Sequence, residues 1–273
     1  MSVLTVSRRT DMVRWYPDDL IRRLLRYRPE RVHSLVLFTK FPAAVLADPL
    51  RAVLARYDQV VANITITGLG GTRLEPRVPP PEETLSVLPG LVDFVGSPER
   101  VVVRIDPIVH WREAAEPRHS SEVRSNSRSF AAIAGQAVAA GVRGLKTSLA
   151  SPYAKAIRRF QAAGLELVTL EGEPRERILA TLEREAAVAG ADLQFCCEAA
   201  RPMTACVDAA LLSRLHPRGL PARPDRAGGQ RVHCGCTQAI DLAWYSTHPC
   251  PSGCLYCYAN PTRAGANRET PPR

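Results

Sequence analysis

Short runs of β-branched and apolar residues alternate along most of the chain with amphipathic, Arg- and Ala-rich segments of helical length. That alternation limits the possible folds more than any other feature. The runs fall at residues 3–7, 32–39, 60–67, 101–108, 144–148, 165–170 and 192–197. Strands separated by helices pair in parallel, because each connection must cross the sheet before the next strand begins. Seven strands in that order predict an α/β fold, a TIM-barrel-like or partial (β/α) barrel over residues 1–198. Pro17-Asp18-Asp19 and Pro81-Glu82-Glu83 place proline and acidic residues where helix N-termini favour them. Residues 112–129 are expected to form a long loop and the Pro-, Arg- and Gly-rich residues 217–230 a linker or lid. A cysteine-rich segment, residues 199–262, should pack on the barrel mouth, with a disordered tail at 263–273.

Active sites of parallel barrels gather at the carboxyl ends of the strands. Polar residues collect there: Ser7-Arg8-Arg9-Thr10-Asp11, Thr39-Lys40, Thr65, Thr67-Gly68, Arg104, Asp106, Lys146-Thr147-Ser148, Thr169 and Cys197-Glu198. Arg8, Arg9, Asp11, Lys40, Arg104, Asp106 and Lys146 are the candidates for binding carboxylate and ribose groups, arginine being suited to bidentate anion contacts. Each alone also reads as a cap or a solvated loop residue; their recurrence on one rim favours a site.

All eight cysteines lie between positions 196 and 257. At 273 residues the chain buries enough apolar surface to fold without crosslinks. No basic segment with an apolar stretch opens it, and no apolar run approaches the ~18 residues of a spanning helix. A cytoplasmic location is therefore expected, where thiols stay reduced and clustered cysteines serve as metal ligands. Cys250, Cys254 and Cys257 form a C-x3-C-x2-C triad, and Pro251 and Gly253 permit the tight loop that would turn three thiolates toward one centre. Three thiolates leave one iron of a [4Fe–4S] cluster open to another ligand. A zinc knuckle is the alternative and would need a fourth ligand such as His248 or Cys236. Cys197, Cys206, Cys234 and Cys236 make a second set of four, read either as an auxiliary [4Fe–4S] cluster or as buried thiols with a redox pair. Cys196 would face the opposite side of a strand from Cys197 and reads as a packed apolar residue.

The formal net charge is +9, yet only three of 36 basic residues are Lys. That arginine excess looks compositional, and with no interleaving of aromatic and basic residues a nucleic-acid partner is not favoured.

Two resemblances sharpen this. Ser7-Arg8-Arg9-Thr10-Asp11, Thr39-Lys40, Thr67-Gly68, Arg104-Ile105-Asp106-Pro107-Ile108, Cys234-Gly235-Cys236 and Gly253-Cys254-Leu255-Tyr256-Cys257-Tyr258-Ala259-Asn260 together resemble the domain-of-unknown-function 1848 family over nearly the full length. That family implies the fold and the cysteine pattern and no substrate. The loop itself, with Tyr256 directly before Cys257, is similar to the cluster loop of radical S-adenosylmethionine enzymes, the spore photoproduct lyase-like ones in particular. This implies a cluster on Cys250, Cys254 and Cys257, S-adenosylmethionine on the open iron, and Tyr256 beside its adenine. Two departures stand out: the triad follows the last strand rather than the first, and no Gly-Gly-Glu motif follows a second strand. Gly68 and Gly70, after the third run, are the candidates for close backbone approach to the cofactor. The expected function is a radical enzyme drawing electrons from a flavodoxin or ferredoxin. Its rivals are a non-catalytic iron–sulfur redox or sensor protein and a nucleic-acid repair factor.

Overall fold

The structure, a computed structural model, describes residues 1–114, 122–243 and 247–259. Its strands are β1 (Ser2–Val6), β2 (Val32–Thr39), β3 (Val60–Thr65), β4 (Val101–Ile108), β5 (His110–Glu113), β6 (Arg124–Ser125), β7 (Gly144–Leu149), β8 (Leu165–Val168), β9 (Asp192–Phe195) and β10 (Ile240–Asp241). Seven of them form one sheet in the order β10-β1-β2-β3-β4-β7-β9, and every pairing in it is parallel. The alternation of strand and helix was thus legible, but closure was not: β10 and β9 are the two edges, and no barrel is closed among the described residues.

The predicted strand at 165–170 departs from the expected order. β8 leaves the main sheet and pairs antiparallel with β5, with β6 on the other side of β5. A strand inside a parallel sheet is buried on both faces, as β2 is, all eight of its residues being buried. Leu165-Glu166-Leu167-Val168 carries a carboxylate instead, which Arg112 of β5 holds in a two-pronged contact at 2.8 and 2.9 Å. The loop expected at 112–129 accordingly contains strand residues at both ends, and residues 115–121 of it lie outside the described residues, as does the tail expected at 263–273.

Alternation along each strand sorts side chains onto two faces. Leu4, Val6, Leu35, Leu37, Ala62, Ile64, Val103 and Ile105 join the main core with helices such as Phe130–Ala139 and Gly172–Ala189. On the opposite face Val3, Val36, Phe38 and Val61 pack against Val207, Ala209, Leu212, Cys234 and Cys236. The cysteine-rich segment, with its helix Ala209–Leu215, therefore covers the face opposite the main core. No helix among the described residues is long and apolar enough to cross a membrane.

β3 runs into the turn Thr67-Gly68-Leu69-Gly70-Gly71, where backbones crowd. Gly68 has φ +79°, and a Cβ on it would fall 2.7 Å from Ser129 Cβ; one on Gly70 would fall 1.9 Å from the Pro79 carbonyl oxygen. Gly135, in the helix Phe130–Ala139, has open space where its Cβ would be. Gly70→Ala should lower the unfolding free energy by roughly 1–3 kcal/mol through forced backbone displacement. Gly135→Ala should raise it by roughly 0.4–1 kcal/mol. Urea melts of the two single variants check the opposite signs.

Candidate cluster-binding site

The chain's last strand brings the triad to the sheet. β10 pairs beside β1, Leu4 with Ile240 and Thr5 with Asp241, so the loop after it crosses the carboxyl ends of the strands. Many tethers then hold it. Thr10 Oγ1 donates to the His248 carbonyl at 2.6 Å, Tyr16 Oη to the Pro249 carbonyl at 2.6 Å, and Trp15 Nε1 to Ser252 Oγ at 3.0 Å. Leu255 N donates to the Leu74 carbonyl at 3.0 Å, and Arg159 reaches the Leu255 and Cys257 carbonyls. Tyr258 Oη donates to the Arg8 carbonyl at 2.9 Å. Gly253 takes the left-handed conformation, φ +74°, that the tight turn requires.

Beneath the loop sits an ionic trio. Lys40 Nζ donates to Glu75 Oε1 at 2.8 Å and to Tyr256 Oη at 2.9 Å, and Tyr256 Oη donates to the same Glu75 oxygen. Glu75 is fully buried and its Oε2 has no partner. Burial pulls the Lys40 pKa down, but the Glu75 carboxylate more than restores it, and the ammonium stays charged. Burial and the Glu75 charge push the Cys254 thiol well up, and burial pushes Cys257 up as well; a metal on those sulfurs would replace the proton. Asp11 lies nearby as a clasp: Thr39 Oγ1 donates to it at 2.8 Å and Lys40 N at 2.8 Å. Burial raises its carboxyl from 3.8 to about 6 despite those bonds.

Both groups of cysteines line one cavity of about 810 Å3, together with Arg8, Arg9, Asp11, Lys40, Arg104, Asp106 and Tyr256. Most of the candidate residues from the strand ends therefore lie together on one cavity wall. Arg104 contacts Asp106 and lies with Nη1 2.6 Å from Cys206 Sγ; Asp106 also accepts from Ser148. Arg8 reaches Gln230 at 3.3 Å, within the expected lid, whose residues 227–230 line the cavity. Arg9 lies over the Tyr258 ring. Lys146 is buried behind the cavity wall, where it holds Gln194 at 2.7 Å and the Ala205 carbonyl.

Four residues sit differently from expectation. Gly68 and Gly70 pack against Ser129 and Pro79 and do not reach the cavity wall; they shape the turn that carries Glu75, which is bridged to Gly70. Cys196 lines the cavity with its sulfur 4.0 Å from that of Cys206, whereas Cys197, at φ +57°, stands off the cavity wall with its sulfur 3.7 Å from Cys196. Glu75 was missed, since its local sequence carries no signal of the buried Lys40 it meets.

His248 is committed elsewhere: Nε2 bonds Asp19 Oδ2 at 2.7 Å and Nδ1 bonds Thr247 Oγ1 at 2.9 Å. A zinc knuckle at the triad therefore lacks that ligand. Among the described residues no three His, Cys, Asp or Glu side chains converge as a single ion needs. A four-iron cube makes a different demand, since each thiolate binds its own corner.

A family model described as a domain of unknown function (DUF1848) matches residues 22–259. The chain belongs to the DUF1848 family. The match spans the sheet from β2 onward and both cysteine groups. No curated protein and no solved structure matches the chain, so what the DUF1848 site does rests on its own geometry.

Two expectations follow. Between about pH 4 and 6 the folded chain keeps a proton on Asp11 that the unfolded chain has lost, so stability falls as pH rises through that window and levels off above it, by at most about 3 kcal/mol. Asp11→Asn should flatten that part of the stability profile, measured by urea melts across the window. Glu75→Ala should cost roughly 3–5 kcal/mol by leaving Lys40 buried and unpaired, and Glu75→Met with Lys40→Met should cost less; thermal denaturation checks the order.

Proposed function

We propose that the chain is an iron–sulfur enzyme of the radical S-adenosylmethionine type. The supporting observation is that the C-x3-C-x2-C loop lies over the carboxyl end of a parallel sheet, with its three cysteines and Tyr256 on the wall of a cavity that Arg8, Arg9, Lys40 and Arg104 also line. Its volume of about 810 Å3 is within the range of small-molecule sites, ≈ 300–1,000 Å3. Cys250, Cys254 and Cys257 would hold a [4Fe–4S] cluster, and the chemistry it supplies, with S-adenosylmethionine bound and one electron from a flavodoxin- or ferredoxin-type donor, is hydrogen-atom abstraction by a 5′-deoxyadenosyl radical.

The chain's own part is binding and exclusion. The unpartnered Glu75 Oε2 is a buried acceptor beneath the cluster loop, behind the residues that line the cavity. Arg8 Nε and Ser7 Oγ, also buried without partners and belonging to cavity-lining residues, are donors suited to carboxylate or hydroxyl oxygens. Ser7 has φ +47°, a conformation that a non-glycine residue holds at a cost of order 1–3 kcal/mol. Phe38, under the guanidinium groups of Arg8 and Arg104, and Tyr258 wall the space against water.

Anaerobically reconstituted protein given S-adenosylmethionine and a strong reductant should release 5′-deoxyadenosine, and the Cys250→Ala, Cys254→Ala, Cys257→Ala variant should release none. A loaded cluster with no cleavage would favour the electron-carrying or sensing alternative.

A further inference from the structure

The second cysteine group lies on the opposite part of the same cavity wall, and its surroundings are built for negative charge on sulfur. Cys196, Cys206, Cys234 and Cys236 come from the end of β9 and from the segment that covers the sheet. Cys206 is the junction: its sulfur is 4.0 Å from that of Cys196, and its backbone N–H donates to Cys236 Sγ at 3.2 Å. Cations converge on these atoms. Arg104 Nη1 lies 2.6 Å from Cys206 Sγ and Arg231 Nη2 lies 3.8 Å from Cys196 Sγ. Lys146 holds the Ala205 carbonyl directly before Cys206.

A packed set of neutral thiols has no need of such company, because a buried guanidinium loses hydration that only an anionic partner restores. Arg104, its side chain largely buried, has one carboxylate, Asp106, and lies against the Cys206 sulfur, which as a thiolate would be its second anionic partner. Four thiolates around a [4Fe–4S] core carry two net negative charges. Zinc on four thiolates would carry the same charge, but no three of the described His, Cys, Asp or Glu side chains are arranged as a single ion needs, whereas a cluster takes each sulfur on a corner of its own.

We infer that Cys196, Cys206, Cys234 and Cys236 hold a second [4Fe–4S] cluster facing the cavity. Complete ligation by cysteine leaves no iron open, so this centre stores or passes electrons and does not coordinate the bound molecule. Cys197, off the cavity wall, is not a ligand. The site stands apart from the proposed function: its ligands are none of those in the triad, and its occupancy is measurable without any turnover.

Full-length protein is reconstituted anaerobically with iron and sulfide, and iron, acid-labile sulfide and zinc are measured alongside the electron paramagnetic resonance spectrum of the reduced protein. Wild type should bind about eight irons, the variant with Cys250, Cys254 and Cys257 all changed to Ala about four, and the variant with Cys196, Cys206, Cys234 and Cys236 all changed to Ser about four. The cluster that each variant keeps reports that the chain has folded. Cys197→Ser should leave the count unchanged and Cys196→Ser should lower it. In the triad-free variant, Arg104→Gln should move the midpoint potential of the remaining cluster to more negative values, because a cation and hydrogen-bond donor beside the sulfur favours the reduced state. A triad-free variant that folds by circular dichroism but binds no iron would overturn this inference and leave the triad reading standing. Zinc in place of iron, or iron loss with Cys197→Ser and not with Cys196→Ser, would overturn it too. Iron lost from the triad alone, with the second count intact, would count against the proposed function instead.

Discussion

The two-residue pairing of β10 with β1 decides where everything else in the site goes. A parallel sheet presents all its carboxyl ends on one side, so whatever follows an edge strand emerges over the same rim as every other strand. With Ile240 opposite Leu4 and Asp241 opposite Thr5, the cysteine loop comes off the sheet directly beside the Ser7-to-Asp11 segment. Thr10, Trp15 and Tyr16 then bind it through its carbonyls and Ser252. The arrangement achieves by an open edge what a closed ring achieves by adjacency of its first and last strands, and it needs no eighth strand to do so.

Once the loop is there, a buried charge pair has to be satisfied under it. Lys40 and Glu75 lie at the ends of β2 and of the turn after β3, and Tyr256 from the loop completes their hydrogen bonding. A buried ion pair contributes little net stability compared with apolar residues of the same size, because desolvation offsets attraction, but breaking one is costly. Its value here is positional: the loop fits only where its tyrosine meets both charges. The register of the cysteines over the cavity is thereby fixed from two directions, through backbone carbonyls on one side and through the Tyr256 hydroxyl on the other.

Much of this was legible in the sequence, for identifiable reasons. Strands buried on both faces leave a readable apolar run, and the rim followed once parallel pairing was accepted, because polar residues recur at the ends of several strands that emerge on one side. The exclusion of β8 was less visible: Leu165-Glu166-Leu167-Val168 alternates, which signals a half-exposed strand, but its antiparallel partner β5 lay in a stretch whose charge hid it. β10 is only two residues long, too short for any periodicity to register. The assignment of Cys196 and Cys197 depended on strand alternation continuing past Phe195, and it does not. β9 ends at Phe195, and Cys197 takes a left-handed conformation that turns the chain. Glu75 could not be placed because nothing local tells a glutamate after a glycine turn that a lysine 35 residues earlier will meet it in the interior.

The charge of the chain takes on a different meaning with these contacts in view. An excess of arginine on an outer surface would suggest a polyanion, and steep salt dependence would follow. Most of the described arginines are exposed, but Arg8, Arg104 and Lys40 line an inner cavity together with Asp11, Asp106 and both groups of cysteines. Protonated thiols supply no negative charge, so with every cysteine protonated the cavity holds more cations than it can balance, whereas thiolates bound to metal bring it toward neutrality. On the proposed reading the same cations would also hold sulfur ligands ionised: Arg104 contacts both Asp106 and Cys206, while Arg8 keeps an unpartnered Nε.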